Sequence, residues 1–112
     1  MRDKEDALAK KEQVVLLYDM YGDLLTDKQK KYISLYYEED LSLGEIASEM
    51  QVSRNAVYES LKNSVRTMVK YEDTLHLLEK YNERMALIDR ISEEADKTYP
   101  DIDEYLEMLR RL

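Results

Sequence analysis

The stretch Leu41–Lys62, LSLGEIASEMQVSRNAVYESLK, decides how the chain reads. Ser42 followed three residues later by Glu45 is a capping-box pair and starts a short helix over 43–50. Ser53 is an N-cap candidate for a second helix beginning at Arg54, worth about 1 kcal/mol. Ile46, Ala47, Met50, Val52, Val57 and Leu61 supply small and apolar side chains where two such helices cross. Ala47 lets the axes approach closely. This is the pattern of a helix-turn-helix, in which the second helix enters a nucleic-acid groove. The turn between them commonly carries glycine in the left-handed conformation. Here Gln51 stands at that position, at a cost on the order of 1 kcal/mol.

The second helix turns Arg54, Asn55, Tyr58, Glu59, Lys62 and Arg66 outward, and these are the candidate nucleic-acid-binding residues. Arg and Asn pair bidentately with guanine and adenine edges. Set against this, the chain has 25 acidic and 17 basic residues, a formal charge of −8. Its distribution resolves the conflict. Residues 51–70 hold four bases and one acid, residues 1–50 seven and twelve, and residues 71–112 six and twelve. The acidity lies outside the reading helix, and a screening length of about 8 Å at physiological salt lets a local basic patch act. The same acidity removes most of the non-specific affinity for nucleic acid. The competing reading of Arg54, Lys62 and Arg66 is the solvated face of an ordinary bundle.

Working outward, Leu8, Val14, Val15, Leu16, Leu17, Tyr18 and Tyr21 recur at helical spacing and predict a helix from about Glu5 to Tyr21. Gly22 is expected to end it as a glycine with positive φ. Thr26 and Gln29 form another capping box, opening a helix to about Tyr37 with Tyr32, Ile33, Leu35 and Tyr36 on its buried side. After Gly44 neither glycine nor proline occurs until Pro100. Met68, Tyr71, Leu75, Leu78, Tyr81, Met85, Ile88 and Ile91 recur every three or four residues, the spacing of a helical seam. A helix from Arg54 to about Lys97 is expected, with a break near Asn82 or Ser92 as the alternative. Pro100 suits the first turn of a last helix ending at Arg110 and Arg111, where cations favour the dipole. Period-two alternation is lacking, so the chain is all-α. It divides into a helix-turn-helix domain, 1–70, and an acidic helical extension, 71–112, continuous with it.

Composition excludes several classes. Cysteine is absent, which removes disulfides, thiolate metal sites and a cysteine nucleophile. No catalytic residue, metal site or cofactor is expected. His76, the sole histidine, reads as a helix-surface or interface residue. Acidic runs such as YEED lack the spacing of a calcium loop, and no glycine-rich loop cradles phosphates. The charged N-terminus is unlike a signal peptide, and no apolar run reaches the roughly 20 residues that span a bilayer. A cytoplasmic protein without membrane insertion is expected. Ten tyrosines with no Phe or Trp place amphipathic rings at core rims or interfaces. An apolar seam on a long projecting helix favours a homo-oligomer, a dimer by default, whereas a break near Asn82 would give a compact monomer.

The segment Leu41–Lys62 resembles region 4 of bacterial sigma factors, the helix-turn-helix that meets promoter DNA. Over Leu16–Lys62 the chain resembles the YlxM family of small helix-turn-helix proteins, the specific part being YDMYGDLLTDKQ and YYEEDLSL. The resemblance implies a sigma-region-4-like bundle, followed here by a long C-terminal helical extension. Members of that family are encoded beside the genes for the signal recognition particle GTPase and its receptor. It therefore implies a regulatory role in protein targeting, with DNA or signal recognition particle RNA, and particle proteins, as partners. The sigma-like motif carries nucleic-acid contact onto Arg54, Asn55, Tyr58, Glu59 and Lys62. Two other readings stand beside this one. One takes the chain as an adaptor that binds the targeting GTPases through acidic or tyrosine-rich faces, the other as a DNA-binding transcriptional regulator.

Overall fold

The computed structural model describes residues 8–95, 99 and 101–112, and every regular element among them is helical. The helices are α1 (Lys11–Tyr21), α2 (Asp27–Ile33), α3 (Leu43–Met50), α4 (Arg54–Leu75), α5 (Leu77–Ala95) and α6 (Ile102–Arg110). They form two compact units, one ending at His76 and one running Leu77–Leu112.

In the first unit α4 is the central element, packed against α1, α2 and α3. It offers Val57, Leu61, Ser64 and Met68, spaced four, three and four residues apart, so all fall on one face. Each is fully buried, as are Val14 of α1, Ile33 of α2, and Leu43 and Ile46 of α3. Ser64 fits among them because its hydroxyl donates to the Ser60 carbonyl at 2.8 Å. Tyr21 stacks on Tyr71, with centroids 5.9 Å apart, and donates its hydroxyl hydrogen bond to Glu72. A buried ring of this kind keeps its polar tip satisfied at the edge of the core.

Three departures from the sequence expectation have physical causes. Among the described residues the first helix begins at Lys11; residues 8–10 are non-helical, and Glu5 lies outside the description. Lys10 is extended (φ −67°, ψ 144°), and the Ala9 carbonyl is held by the Tyr37 hydroxyl at 2.9 Å. Gly22 has φ −56° rather than a positive value. It opens a 3₁₀ turn, Gly22–Leu24, and its missing side chain makes room for Tyr18, whose ring would lie 2.9 Å from an added Cβ. After Ile33 the second helix widens into a π turn, Ser34–Glu38, closed by the Glu39 N–H on the Ser34 carbonyl at 3.0 Å. The extra residue rotates the following side chains, so Tyr37 is buried and Tyr36 only half-buried.

The long helix expected over 54–97 ends at Leu75. His76 takes the left-handed conformation (φ 56°, ψ 29°), and its N–H closes on the Glu72 carbonyl at 2.8 Å. The break therefore lies at His76, not near Asn82 or Ser92. Histidine enters this region more readily than β-branched residues, a preference that apolar spacing does not reveal. The expected seam is divided: Met68 and Ile88 are buried, whereas Leu75, Tyr81 and Ile91 are exposed. In the second unit α5 and α6 pack together. Ser92 Oγ donates to Asp103 Oδ1 at 2.9 Å, and Arg110 bridges Asp89 at 3.2 Å, so the two helices run antiparallel. Pro100 and Lys97 lie outside the described residues.

Candidate nucleic-acid interface

The reading helix is positioned by its start. Ser53 Oγ accepts from the Ala56 N–H at 3.0 Å, capping α4. The preceding helix, α3, has a complete capping box: Ser42 Oγ accepts from the Glu45 N–H at 3.1 Å, and Glu45 Oε1 accepts from the Ser42 N–H at 3.0 Å. That backbone hydrogen bond, followed by the Ser42 hydroxyl, holds the Glu45 carboxyl below its ordinary range. Between α3 and α4, Gln51 is left-handed (φ 57°, ψ 47°), and the Val52 N–H returns to the Ala47 carbonyl at 3.0 Å. Ile46, Ala47, Val57 and Leu61 are buried in the crossing, with Met50 and Val52 half-buried at its rim.

Arg54, Asn55, Glu59, Lys62 and Arg66 are exposed and Tyr58 is half-buried. At about 100° per residue these six positions span an arc of about 140°, which adjoins the buried stripe of Val57, Leu61, Ser64 and Met68 at its Arg54 edge and turns away from it toward Glu59. The face is not uniform. The Arg54 guanidinium lies across the first turn of α3, where a Cβ on Gly44 would sit 3.6 Å from Nε. Lys62 Nζ stands 5.8 Å from the Tyr58 ring centroid, a cation–π contact that anchors both side chains. Arg66 Nη1 donates to Asn63 Oδ1 at 3.5 Å. Among the described residues none of Arg54, Lys62 and Arg66 is in an ion pair, whereas Lys11 and Lys30 bridge Asp40 and Asp23. Three cations on one helical face thus keep their charge available to an anion.

Two borders of this face escaped the sequence reading. On one side a hollow of about 300 Å³ between α2 and α4 is lined by Lys28, Tyr32, Ser60 and Asn63, among others. Lys28 adds an exposed cation there, and no local pattern in α2 marks it, because only packing brings α2 alongside α4. On the other side Leu8 and Ala9 share a hollow of about 260 Å³ with Lys62, Val65 and Arg66. The Tyr37–Ala9 hydrogen bond holds that segment beside the C-terminal half of the face. Burial pushes the Tyr37 hydroxyl up to about 12, with neighbouring Tyr36 adding to the shift, so the donor is neutral across the physiological range.

Among the described residues no helix is long and apolar enough to cross a membrane. Comparison with known proteins agrees with the geometry. Residues 8–107 match a family model described as "UPF0122: Putative helix-turn-helix protein, YlxM / p13 like". The UPF0122 protein YlxM of Bacillus subtilis is 43% identical over 108 residues, covering 95% of this chain and 98% of that protein. A UPF0122 protein of Pediococcus pentosaceus is 46% identical over 94 residues, 84% of this chain and 83% of that one. One from Listeria innocua is 48% identical over 82 residues, 73% and 74% of the two chains.

Proposed function

Because the chain belongs to the UPF0122 family of YlxM/p13-like helix-turn-helix proteins, we propose that it is a non-enzymatic, cytoplasmic nucleic-acid-binding regulator acting in signal recognition particle targeting. Its contact face is that of α4. Arg54 and Asn55 meet base edges or an RNA backbone, Lys62 and Arg66 neutralise phosphates, and Tyr58 and Glu59 complete the surface. The observation that carries this reading is the concentration of available cations on the exposed face of a firmly capped α4, inside a chain that is otherwise acidic. The targeting role rests on the family's gene neighbourhood. The same proposal assigns reading to the helix-turn-helix domain and a separate task to the acidic helical extension.

Fluorescence anisotropy tests it, with labelled signal recognition particle RNA and a random DNA duplex pool at two salt concentrations. Arg54→Ala and Lys62→Ala should each weaken binding, and Lys62→Ala should lower the salt slope by about one counterion. Preference for the RNA supports a particle role, and preference for duplex DNA a transcriptional one. Binding indifferent to both substitutions removes α4 from the contact. The adaptor reading draws on the twelve acids among residues 71–112, which suit a basic protein surface. Loss of particle binding after charge reversal there, with Arg54→Ala silent, would favour it.

A further inference from the structure

The hollow between α2 and α4 has a chemistry of its own. Its volume is about 300 Å³, at the small end of ligand sites, about 300–1,000 Å³, and suits one flat heterocycle. Tyr32, Val52 and Ala56 give it apolar walls, Gln29, Ser60 and Asn63 a polar edge, and Lys28 a cation. Among the described residues no acidic side chain lines it. Apolar walls with a polar edge match a nucleobase, whose faces stack and whose rim forms hydrogen bonds.

The protein itself sets the sense of that polar edge. In the capping box of α2, Gln29 Oε1 accepts from the Thr26 N–H at 3.0 Å. Asn63 Oδ1 accepts from Arg66 Nη1 at 3.5 Å. An N–H donor faces the oxygen of a carboxamide, so both amides are oriented and both keep an N–H2 group to donate. Two donors select a base edge that accepts, such as the carbonyls of uracil or guanine. Adenine has no carbonyl and sets its own N6–H2 donor against them.

Position adds a further condition. Tyr32 is buried and Val52 half-buried, so the walls are recessed between two helices. A paired base stays in the stack of its duplex and does not reach them, and extrusion costs least for a base already unpaired. Along α4, Asn63 lies about 60° from Arg66, which puts the hollow at the border of the cationic face. Lys28 Nζ, 6.0 Å from the Tyr32 ring centroid, sets a cation there for the phosphate of an extruded nucleotide. We infer that the α2–α4 hollow takes one unpaired uracil or guanine beside a nucleic-acid stem held on α4. The inference rests on the α4 reading and specifies its ligand as a folded strand with an unpaired nucleotide rather than a plain duplex.

Anisotropy with the full chain tests this on RNA hairpins that differ at one position: a fully paired stem, and the same stem with a single unpaired uracil or adenine. Wild type should bind the uracil hairpin roughly tenfold more tightly than the paired stem, and the adenine hairpin several-fold less tightly than the uracil one. Ala56→Leu adds bulk to a wall and Asn63→Ala removes a donor. Each should bring the ratio of the two affinities, uracil hairpin to stem, to within about twofold of unity, with helical circular dichroism retained. If Ala56→Leu loses helix, Asn63→Ala, at an exposed position, still decides. Lys62→Ala should weaken both ligands and keep their ratio. Equal wild-type binding to stem and uracil hairpin overturns the inference and leaves the α4 reading standing, whereas no binding to any hairpin overturns both. A uracil preference that survives Ala56→Leu and Asn63→Ala overturns the hollow as its site, and an adenine hairpin as tight as the uracil one overturns the donor edge. Matching DNA hairpins separate the sources: an equal preference there places recognition on the base alone, a preference confined to RNA adds the ribose, and either supports the site.

Discussion

Gln51 turns the chain from α3 into α4 in a conformation that penalises any side chain with a Cβ. Gln51→Gly removes about 1 kcal/mol of strain and gives back up to about 1 kcal/mol through a freer unfolded chain. The expected outcome is a small rise in the urea midpoint, and a fall of more than about 0.5 kcal/mol would contradict a strained turn. Tyr37 supplies a second test. Its hydroxyl titrates near 12 in the folded protein, against 10 ordinarily. The folded state favours the neutral phenol, so this contribution is complete below pH 10 and is lost as pH rises toward 12. Tyr37→Phe should flatten alkaline denaturation there while costing about 1 kcal/mol at neutral pH through the lost bond to Ala9. The position of Gln51 could be read from sequence because a turn must sit between two capped helices. The burial of Tyr37 could not, since nothing in SLYYE signals that an extra residue enters the helix.

At the scale of elements, caps and core stripe work together. Ser53→Ala and Ser42→Ala should each cost about 1 kcal/mol in chemical denaturation. Ser42→Ala should also let the Glu45 carboxyl rise toward its ordinary range, followed by NMR titration. With the cap intact that carboxyl titrates low; its contribution holds above the ordinary carboxylate range and is lost as pH falls through the depressed value. Leu61→Ala, at the centre of the α4 stripe, should cost 2–5 kcal/mol, about the range for a buried Leu truncation. These elements were legible because capping boxes and three-to-four spacing are local signals. The end of α4 was not. The seam runs through His76 without a change of period, and a single left-handed residue divides it. The candidate face divides in the same way: its α4 residues follow from spacing, whereas Lys28 and the Leu8–Ala9 border depend on packing between distant segments.

For the whole molecule, the two units differ in how much core each encloses. Val14, Tyr21, Ile33, Leu43, Ile46, Leu61 and Met68 all belong to the first unit. A chain ending after His76 should therefore melt cooperatively and keep the wild-type salt slope for nucleic acid. Calorimetry and sedimentation check this; a molten or aggregated fragment would mean that the first unit relies on the second. The left-handed joint also has a genetic meaning. A stop codon just beyond position 76 leaves every buried contact of the first unit encoded, whereas a frameshift within α4 removes the scaffold that α1, α2 and α3 share. Severity among truncating alleles should thus fall in one step at the joint rather than gradually with length.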